Sequence, residues 1–203
     1  MPTIYQLKPA FQNLLRPLTQ RLFRLGVSAN QVTLAAMLLS CLVGGQLYLF
    51  PGARWALFFV PLFLFLRMAL NAIDGMLARE HRQKSALGAL LNELGDVVSD
   101  AALYLPFAVL PGMSPALLVL TVLLAVVSEM TGVAAMQIGA TRRYDGPMGK
   151  SDRAFVFGAV ALALALGVPP GAWQNWVFAA VAILLLLTIF NRARGALREA
   201  SKA

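Results

Sequence analysis

One cysteine, one histidine and nine acidic residues are all that 203 positions hold of the groups that usually build disulfide frameworks or metal centres. Cys41 alone excludes a disulfide framework and a cysteine-rich zinc site, and it lies in an apolar run. His81 alone excludes a histidine-rich metal site. Charge is scarce as well: 13% of residues are charged, against about 25% in an ordinary soluble domain. The long apolar runs lack period-2 alternation, so strands are not expected. Internal repeats, low-complexity tracts and an appended soluble domain are also lacking. What is abundant is hydrophobicity, 59% of the chain, with mean hydropathy +0.72. The net charge of +8 would suggest a nucleic-acid partner in a soluble protein. In so apolar a chain the integral membrane class is the one left, and no nucleic-acid partner is expected.

A bilayer core of about 30 Å needs roughly 20 mostly apolar residues per helix. Six stretches qualify or nearly qualify: 29–50, 53–77, 86–110, 115–140, 154–168 and 172–190. Pro51-Gly52, Pro111-Gly112 and Pro169-Pro170 punctuate them, and Trp173 and Trp176 suit an interfacial belt. The bases fall into four groups. Lys8, Arg16, Arg21 and Arg24 precede the first span, and Arg79, Arg82 and Lys84 separate the second from the third. Arg142, Arg143, Lys150 and Arg153 join the fourth to the fifth, and Arg192, Arg194, Arg198 and Lys202 follow the sixth. Fifteen of the seventeen bases thus lie on one side, and the positive-inside rule makes that side, with both termini, cytoplasmic. The first apolar run starts at Ala29, too late and too long for a cleaved signal peptide.

Ahead of that run, residues 5–25 place Leu7, Phe11, Leu14, Leu15, Leu18, Leu22 and Leu25 three or four apart. This predicts an amphipathic helix on the cytoplasmic leaflet; a lead-in helix packed on the loops is the alternative. The expected fold is an all-α integral membrane protein, one domain of six transmembrane helices plus the N-terminal amphipathic helix.

Charged residues inside spans are costly, about 2.5–3.5 kcal/mol each on insertion scales, and each is a functional hypothesis. Arg67, Asn71 and Asp74 share one face of the second span, with Gly75 and Ala78 as small neighbours. Gly88, Asn92, Asp96 and Asp100 stand at four-residue steps on one face of the third. Two helices joined by a short cytoplasmic loop can turn such stripes toward each other and form an oxygen-rich pocket. Interhelical hydrogen bonds and an Arg67–carboxylate pair that merely hold the bundle are the structural alternative, as they are for Asp100 and Glu129. Carboxylate and amide oxygens without His or Cys suit a hard cation, and a hard cation beside a basic rim suits phosphate.

The string Asn71-Ala72-Ile73-Asp74-Gly75-Met76-Leu77-Ala78-Arg79, then Gly88, Asn92 and Asp96, resembles the signature of the CDP-alcohol phosphatidyltransferases, D-x-x-D-G-x-x-A-R-x8-G-x3-D-x3-D. Both spacings and six of eight fixed residues match, and Asn stands for Asp at 71 and 92. The same Asn-for-Asp pattern is that of a group of bacterial inner-membrane members. Ser28-Ala29-Asn30-Gln31-Val32-Thr33 and Gly149-Lys150-Ser151-Asp152-Arg153 resemble further family segments, with Ala29 where Pro is usual. The resemblance implies transfer of a phosphatidyl group from CDP-diacylglycerol to a small alcohol with release of CMP. It also implies one or two Mg²⁺ or Mn²⁺ ions, a homodimer, and an active site at the cytoplasmic side of a bacterial inner membrane. By the same resemblance Asn71, Asp74, Asn92 and Asp96 hold metal and Asp96 is the base. Asn30, Thr33, Gly75, Arg79 and Ser85 face the CDP-lipid, with Gly88 supporting.

The two asparagines reduce the four-residue constellation from −4 to −2. Asp100 or Glu93 compensates, a single ion suffices with Arg67 supplying charge, or the chain is a non-catalytic CDP-lipid binder. Arg142, Arg143, Lys150 and Arg153 are candidates for gripping an anionic acceptor, although cytoplasmic loops are basic for topology anyway. Glu129 is a candidate for bonding acceptor hydroxyls or a cationic amine. A small transporter lined by Arg67, Asp96, Asp100 and Glu129 is the rival from another class.

Overall fold

The structure, a computed structural model, describes residues 4–201, with side chains from Pro9 onward. Lys202 and the side chains of Tyr5, Leu7 and Lys8 therefore lie outside the described residues. Among the described residues seven α-helices follow one another: α1 (Ile4–Arg24), α2 (Ala29–Leu49), α3 (Arg54–Glu80), α4 (Ala86–Tyr104), α5 (Pro115–Ala134), α6 (Lys150–Ala165) and α7 (Ala172–Ala200). Short 3₁₀ turns extend α4 and α5 to Val109 and Ile138, and no strand occurs among the described residues.

Helix starts follow local chemistry. Ser28 and Gln31 form a reciprocal cap on α2: Gln31 N–H donates to Ser28 Oγ at 3.3 Å and Ser28 N–H to Gln31 Oε1 at 2.8 Å. Ser85 Oγ accepts the Gly88 N–H at the head of α4 (3.0 Å), and Ser114 Oγ accepts the Leu117 N–H at the head of α5 (3.4 Å). Asp152 reaches back to the Gly149 N–H (2.9 Å) and starts α6 four residues ahead of the apolar run expected at 154. At the other end α7 continues to Ala200 because Arg, Ala, Leu and Glu propagate a helix past the last apolar residue.

Among the described residues four helices are long and apolar enough to cross a membrane: α2, α3, α5 with its 3₁₀ turn, and α7. The other two expected spans fall short for different reasons. α4 carries Glu93, Asp96 and Asp100 within nineteen residues. α6 has sixteen residues, about 24 Å at 1.5 Å per residue, against a core of about 30 Å.

The chain divides into two compact units. The first comprises the described part of Met1–Leu42 together with Leu62–Ser99. Its core joins Ala29 and Val32 of α2 to Ile73, Met76 and Leu77 of α3, with Leu15 and Leu22 of α1 packed against them. One face of α1 is thus buried, Thr19 included, and Arg16 pairs with Glu80 at 2.9 Å. Phe23 stacks on His81 at 4.0 Å, so the single histidine serves packing. Leu14 and Leu18 on another face of α1, and Leu25 just after its end, are exposed.

The second unit comprises Val43–Pro61 and the described part of Asp100–Ala203. Its centre is aromatic: Phe157 stacks on Tyr104 (3.9 Å) and meets Phe178 (4.7 Å) and Phe107 edge-on (5.0 Å). Outward faces of α5 and α7 present Met130, Ile183 and Phe190, each exposed, as lipid-facing helices do.

Gly44 of α2 touches the Ala102 carbonyl of α4 so closely that no Cβ fits, whereas a Cβ on Gly45 meets nothing within 4 Å. Small residues allow such backbone approach between membrane helices. Gly44→Ala is expected to destabilise the protein by about 1–3 kcal/mol through overpacking. Gly45→Ala is expected to leave stability unchanged or slightly raised. Thermal unfolding of both variants in detergent checks the pair.

Candidate functional site

The first unit carries the residues of the CDP-alcohol motif on the ends of three helices. Ala29 N–H donates to Gln83 Oε1 (2.7 Å), which ties the head of α2 to the loop before α4. In that loop Arg82 takes the left-handed conformation, φ 56°. Gly88 sits where a Cβ would lie 2.8 Å from Asn30 Oδ1 and 3.0 Å from Ser85 Oγ. Its missing side chain lets the amino ends of α2 and α4 meet at Asn30, Ser85 and Gly88. Helix amino ends present unpaired N–H groups and a positive dipole end, an environment suited to anions.

Asp74 is 5% exposed, and Thr33 Oγ1 donates to its Oδ2 at 2.8 Å. The Thr33 methyl passes over Gly95, where a Cβ would lie 3.5 Å away. Arg79 folds its guanidinium back over Gly75, with Nη1 and Nη2 3.1 and 3.2 Å from a Cβ there. Arg67, 3% exposed, donates to the Asp96 carbonyl at 3.1 Å and lies 3.7 Å from its Oδ1. The Arg67–carboxylate pair foreseen from spacing is therefore Arg67–Asp96. Asn71 is half-buried and Asn92 is exposed.

Thus Asn30, Ser85 and Gly88 meet at one point, Thr33 reaches Asp74, Gly75 underlies Arg79, and Arg67 holds Asp96. Among the described residues no three His, Cys, Asp or Glu side chains converge. The four motif positions Asn71, Asp74, Asn92 and Asp96 offer two carboxylates and two amides, a set whose chemistry fits a hard divalent cation and no soft one.

The acidic and basic candidates numbered 100 and above belong to the second unit. Arg153, whose side chain is 1% exposed, donates to Asp100 Oδ2 at 2.8 Å and to Glu129 Oε1 at 3.0 Å. Arg142 reaches Glu129 Oε2 at 3.3 Å, and Arg192 lies 3.4 Å from Oε1 while donating to the Ser128 carbonyl. The guanidinium groups of Arg142, Arg153 and Arg192 thus gather around the Asp100 and Glu129 carboxylates in this buried cluster. Lys150 is the first residue of α6. Arg143 does not join the other acceptor-side candidates. It turns to Asp145 (2.7 and 2.9 Å) and Glu199 (2.6 Å).

Arg192 is the residue that sequence reasoning missed. It reads as one more topological base, yet it is 2% exposed. The signal was indirect: Glu129, alone inside an apolar span, needed cations, and Arg192 lies just past Phe190 where α7 leaves the apolar region.

Residues 26–193 match the CDP-alcohol phosphatidyltransferase family. The chain belongs to that family. This phosphatidyltransferase relative is 49% identical to the inner membrane protein YnbA of Escherichia coli K12 over 196 residues, 96% of each chain. It is 32% identical to the phosphatidylinositol phosphate synthase of Mycobacterium marinum over 124 residues, 60% of this chain and 51% of that one. Its fold is that of the Mycobacterium tuberculosis phosphatidylinositol phosphate synthase. The structure of that enzyme with manganese and citrate aligns at TM-score 0.74, covering 89% of this chain and 88% of that one at 18% identity. Its structure with CDP-DAG bound aligns at 0.66, covering 91% and 92% at 19% identity.

Proposed function

We propose that the protein transfers a phosphatidyl group from CDP-diacylglycerol to an alcohol, releasing CMP, at the cytoplasmic face of a bacterial inner membrane. The observation that carries this reading is the grouping in the first unit. The anion-favouring ends of α2 and α4, the Arg79 guanidinium and the Asp74 and Asp96 carboxylates belong to one compact body. Family membership and a fold shared with an enzyme solved with CDP-DAG support it. All six apolar stretches cross the bilayer in this reading, and two copies form a homodimer.

Asn30, Ser85 and the head of α4 bind the nucleotide side, and Arg79 offers a planar pair of donors to phosphate oxygens. Thr33 orients Asp74 through its hydroxyl. Asn71, Asp74, Asn92 and Asp96 would hold one Mg²⁺ or Mn²⁺ ion, whose chemistry there would be Lewis-acid stabilisation of the pyrophosphate and of the CMP leaving group. Arg67 positions Asp96 through the backbone carbonyl. Asp96 accepts the proton of the acceptor hydroxyl as that oxygen bonds to phosphorus and the bond to CMP breaks. Two carboxylates and two amides leave the ion's charge balanced with no excess, which fits one ion better than two.

For the acceptor we propose an anionic alcohol such as a phosphorylated polyol, recognised through Arg142, Lys150 and Arg153, with Glu129 fixing the guanidinium groups. The gathering of guanidinium groups in that cluster supports this reading. Arg143, engaged by Asp145 and Glu199, has no part in it.

Purified protein with Mg²⁺ or Mn²⁺ is expected to exchange labelled CMP into CDP-diacylglycerol. Asp96→Asn is expected to slow transfer to an acceptor by about 10²–10⁴-fold. Nucleotide binding without exchange would make the chain a non-catalytic binder, and solute flux in sealed vesicles without either would make it a carrier. Asn71→Asp and Asn92→Asp are expected to lower the metal concentration giving half-maximal exchange, since each adds a charged ligand; a metal titration reads this. Arg142→Ala is expected to reduce turnover of phosphorylated acceptors selectively, measured across a panel of charged and neutral alcohols. Equal losses across the panel would remove the anionic acceptor.

A further inference from the structure

The segment between α5 and α6 is strapped along the carboxyl end of α7. Thr141 gives its N–H and hydroxyl to the two oxygens of Glu199 (2.9 and 3.0 Å), and the Arg143 N–H donates to the Gly132 carbonyl (3.1 Å). Gly146, at φ +120°, lies so close to Thr188 that a Cβ would approach its Cα to 2.6 Å, and Thr188 Oγ1 accepts the Met148 N–H. Gly195 serves the same end: a Cβ there would stand 2.8 Å from Arg143 Nη2. The strap and the last turns of α7 flank an open, shallow cleft of about 540 Å³ whose walls include Arg143, Asp145, Asn191, Arg194, Arg198 and Glu199.

The charges of this cleft are unevenly used. Arg143 takes both acids, forking onto Asp145 and reaching Glu199. Its hydrogen bonds hold the Asp145 carboxyl below the usual carboxylate range, so that acid stays ionised and committed. Arg194 and Arg198 have no acidic partner within salt-bridge reach among the described residues. They stand four residues apart, one turn along the same face, a like-charge arrangement that weakens a helix unless an anion joins it. Asn191 precedes Arg194 by three on that face and adds an amide. The exposed apolar row of α7, Ile183, Leu186, Leu187 and Phe190, ends one residue before Asn191, which sets the cleft at the edge of the apolar layer. Topology requires basic residues on this side, but it requires neither a cleft nor a strap with glycines at each close approach. Arg194 and Arg198 also lie beyond residue 193, outside the span matched by the family.

We propose that this cleft binds a phosphate group, its oxygens gripped by the Arg194 and Arg198 guanidinium groups with Asn191 as a further donor. Guanidinium forks suit phosphate oxygens, and phosphate in this position comes either from an anionic lipid headgroup or from a soluble phosphorylated molecule. The site does not depend on the catalytic reading above.

The test uses the full chain in neutral detergent and follows the thermal midpoint, which rises with any ligand that binds only the folded state. One arm titrates inorganic phosphate against chloride at equal ionic strength. The other titrates short-chain phosphatidylglycerol against phosphatidylcholine. A saturable rise is expected in at least one arm. A rise with phosphate identifies a soluble ligand as sufficient, and a rise with phosphatidylglycerol alone identifies a headgroup. The double variant R194Q/R198Q is expected to shift half-saturation by about tenfold or more. R21Q/R24Q, with the same charge removed elsewhere, is expected to behave as wild type. Should the double variant fail to fold, Arg198→Gln near the end of α7 provides the same comparison with a smaller shift. No rise in either arm, a rise kept in R194Q/R198Q or in the single variant, or equal losses in both double variants would overturn the proposal.

Discussion

Ionised groups in helices that face lipid are the constraint on which this structure turns. Each costs about 2.5–3.5 kcal/mol to insert unless it finds partners, so the few such groups dictate which helices must touch. In the second unit Arg153 joins Asp100 of α4 to Glu129 of α5, and Arg192 brings α7 to the same carboxylate. Removing one member would leave its partners buried and unpaired, a loss of about 3–5 kcal/mol in comparable cases. In the first unit Arg67 of α3 is satisfied by the backbone and carboxylate of Asp96 on α4. Apolar packing fills these bundles, but the ion pairs decide which faces meet.

The same constraint explains why the motif residues are held by neighbours of the least bulk. Gly88 and Gly75 lie beneath Asn30 and Arg79, where a Cβ would crowd a polar group, and Gly95 lies beneath the Thr33 methyl at ordinary contact distance. A polar atom near lipid needs a partner close at hand, and glycine is how helices let backbone and side chain approach. The spacing of the signature is therefore a packing requirement as much as a chemical one.

Much of this was legible in the sequence because it repeats at helical period. The stripes Arg67-Asn71-Asp74 and Gly88-Asn92-Asp96 follow from steps of three and four, and the caps at Ser28, Ser85 and Ser114 precede the apolar runs they start. What was not legible depends on non-local contact or on where helix and hydrophobicity part. The end of α7 lies ten residues beyond its apolar stretch because lipid ends the hydrophobic pattern while the backbone continues its own hydrogen bonds. Gly44 and Gly45 are indistinguishable in sequence, and only the position of the Ala102 carbonyl separates them. Arg142 and Arg143 are adjacent and chemically identical, yet one reaches Glu129 and the other Asp145 and Glu199. Both lie in the irregular segment between α5 and α6, where the fold decides which way each side chain turns, an outcome that a count of basic residues does not contain.

The asparagines at 71 and 92 bear on stability as well as on chemistry. Four carboxylates gathered at one site in low dielectric repel one another until a cation or protons neutralise them, so such a site resists folding when empty. Replacing two by amides keeps oxygen donors of similar reach and removes half the negative charge. The metal-free protein is thereby relieved of repulsion, and the attraction for a divalent ion is weakened by the same electrostatic term. Arg67 acts in the same sense, since a guanidinium beside Asp96 offsets part of the charge that remains. In the proposed site, two carboxylates, one arginine and two amides would favour folding without the ion and loose binding of it.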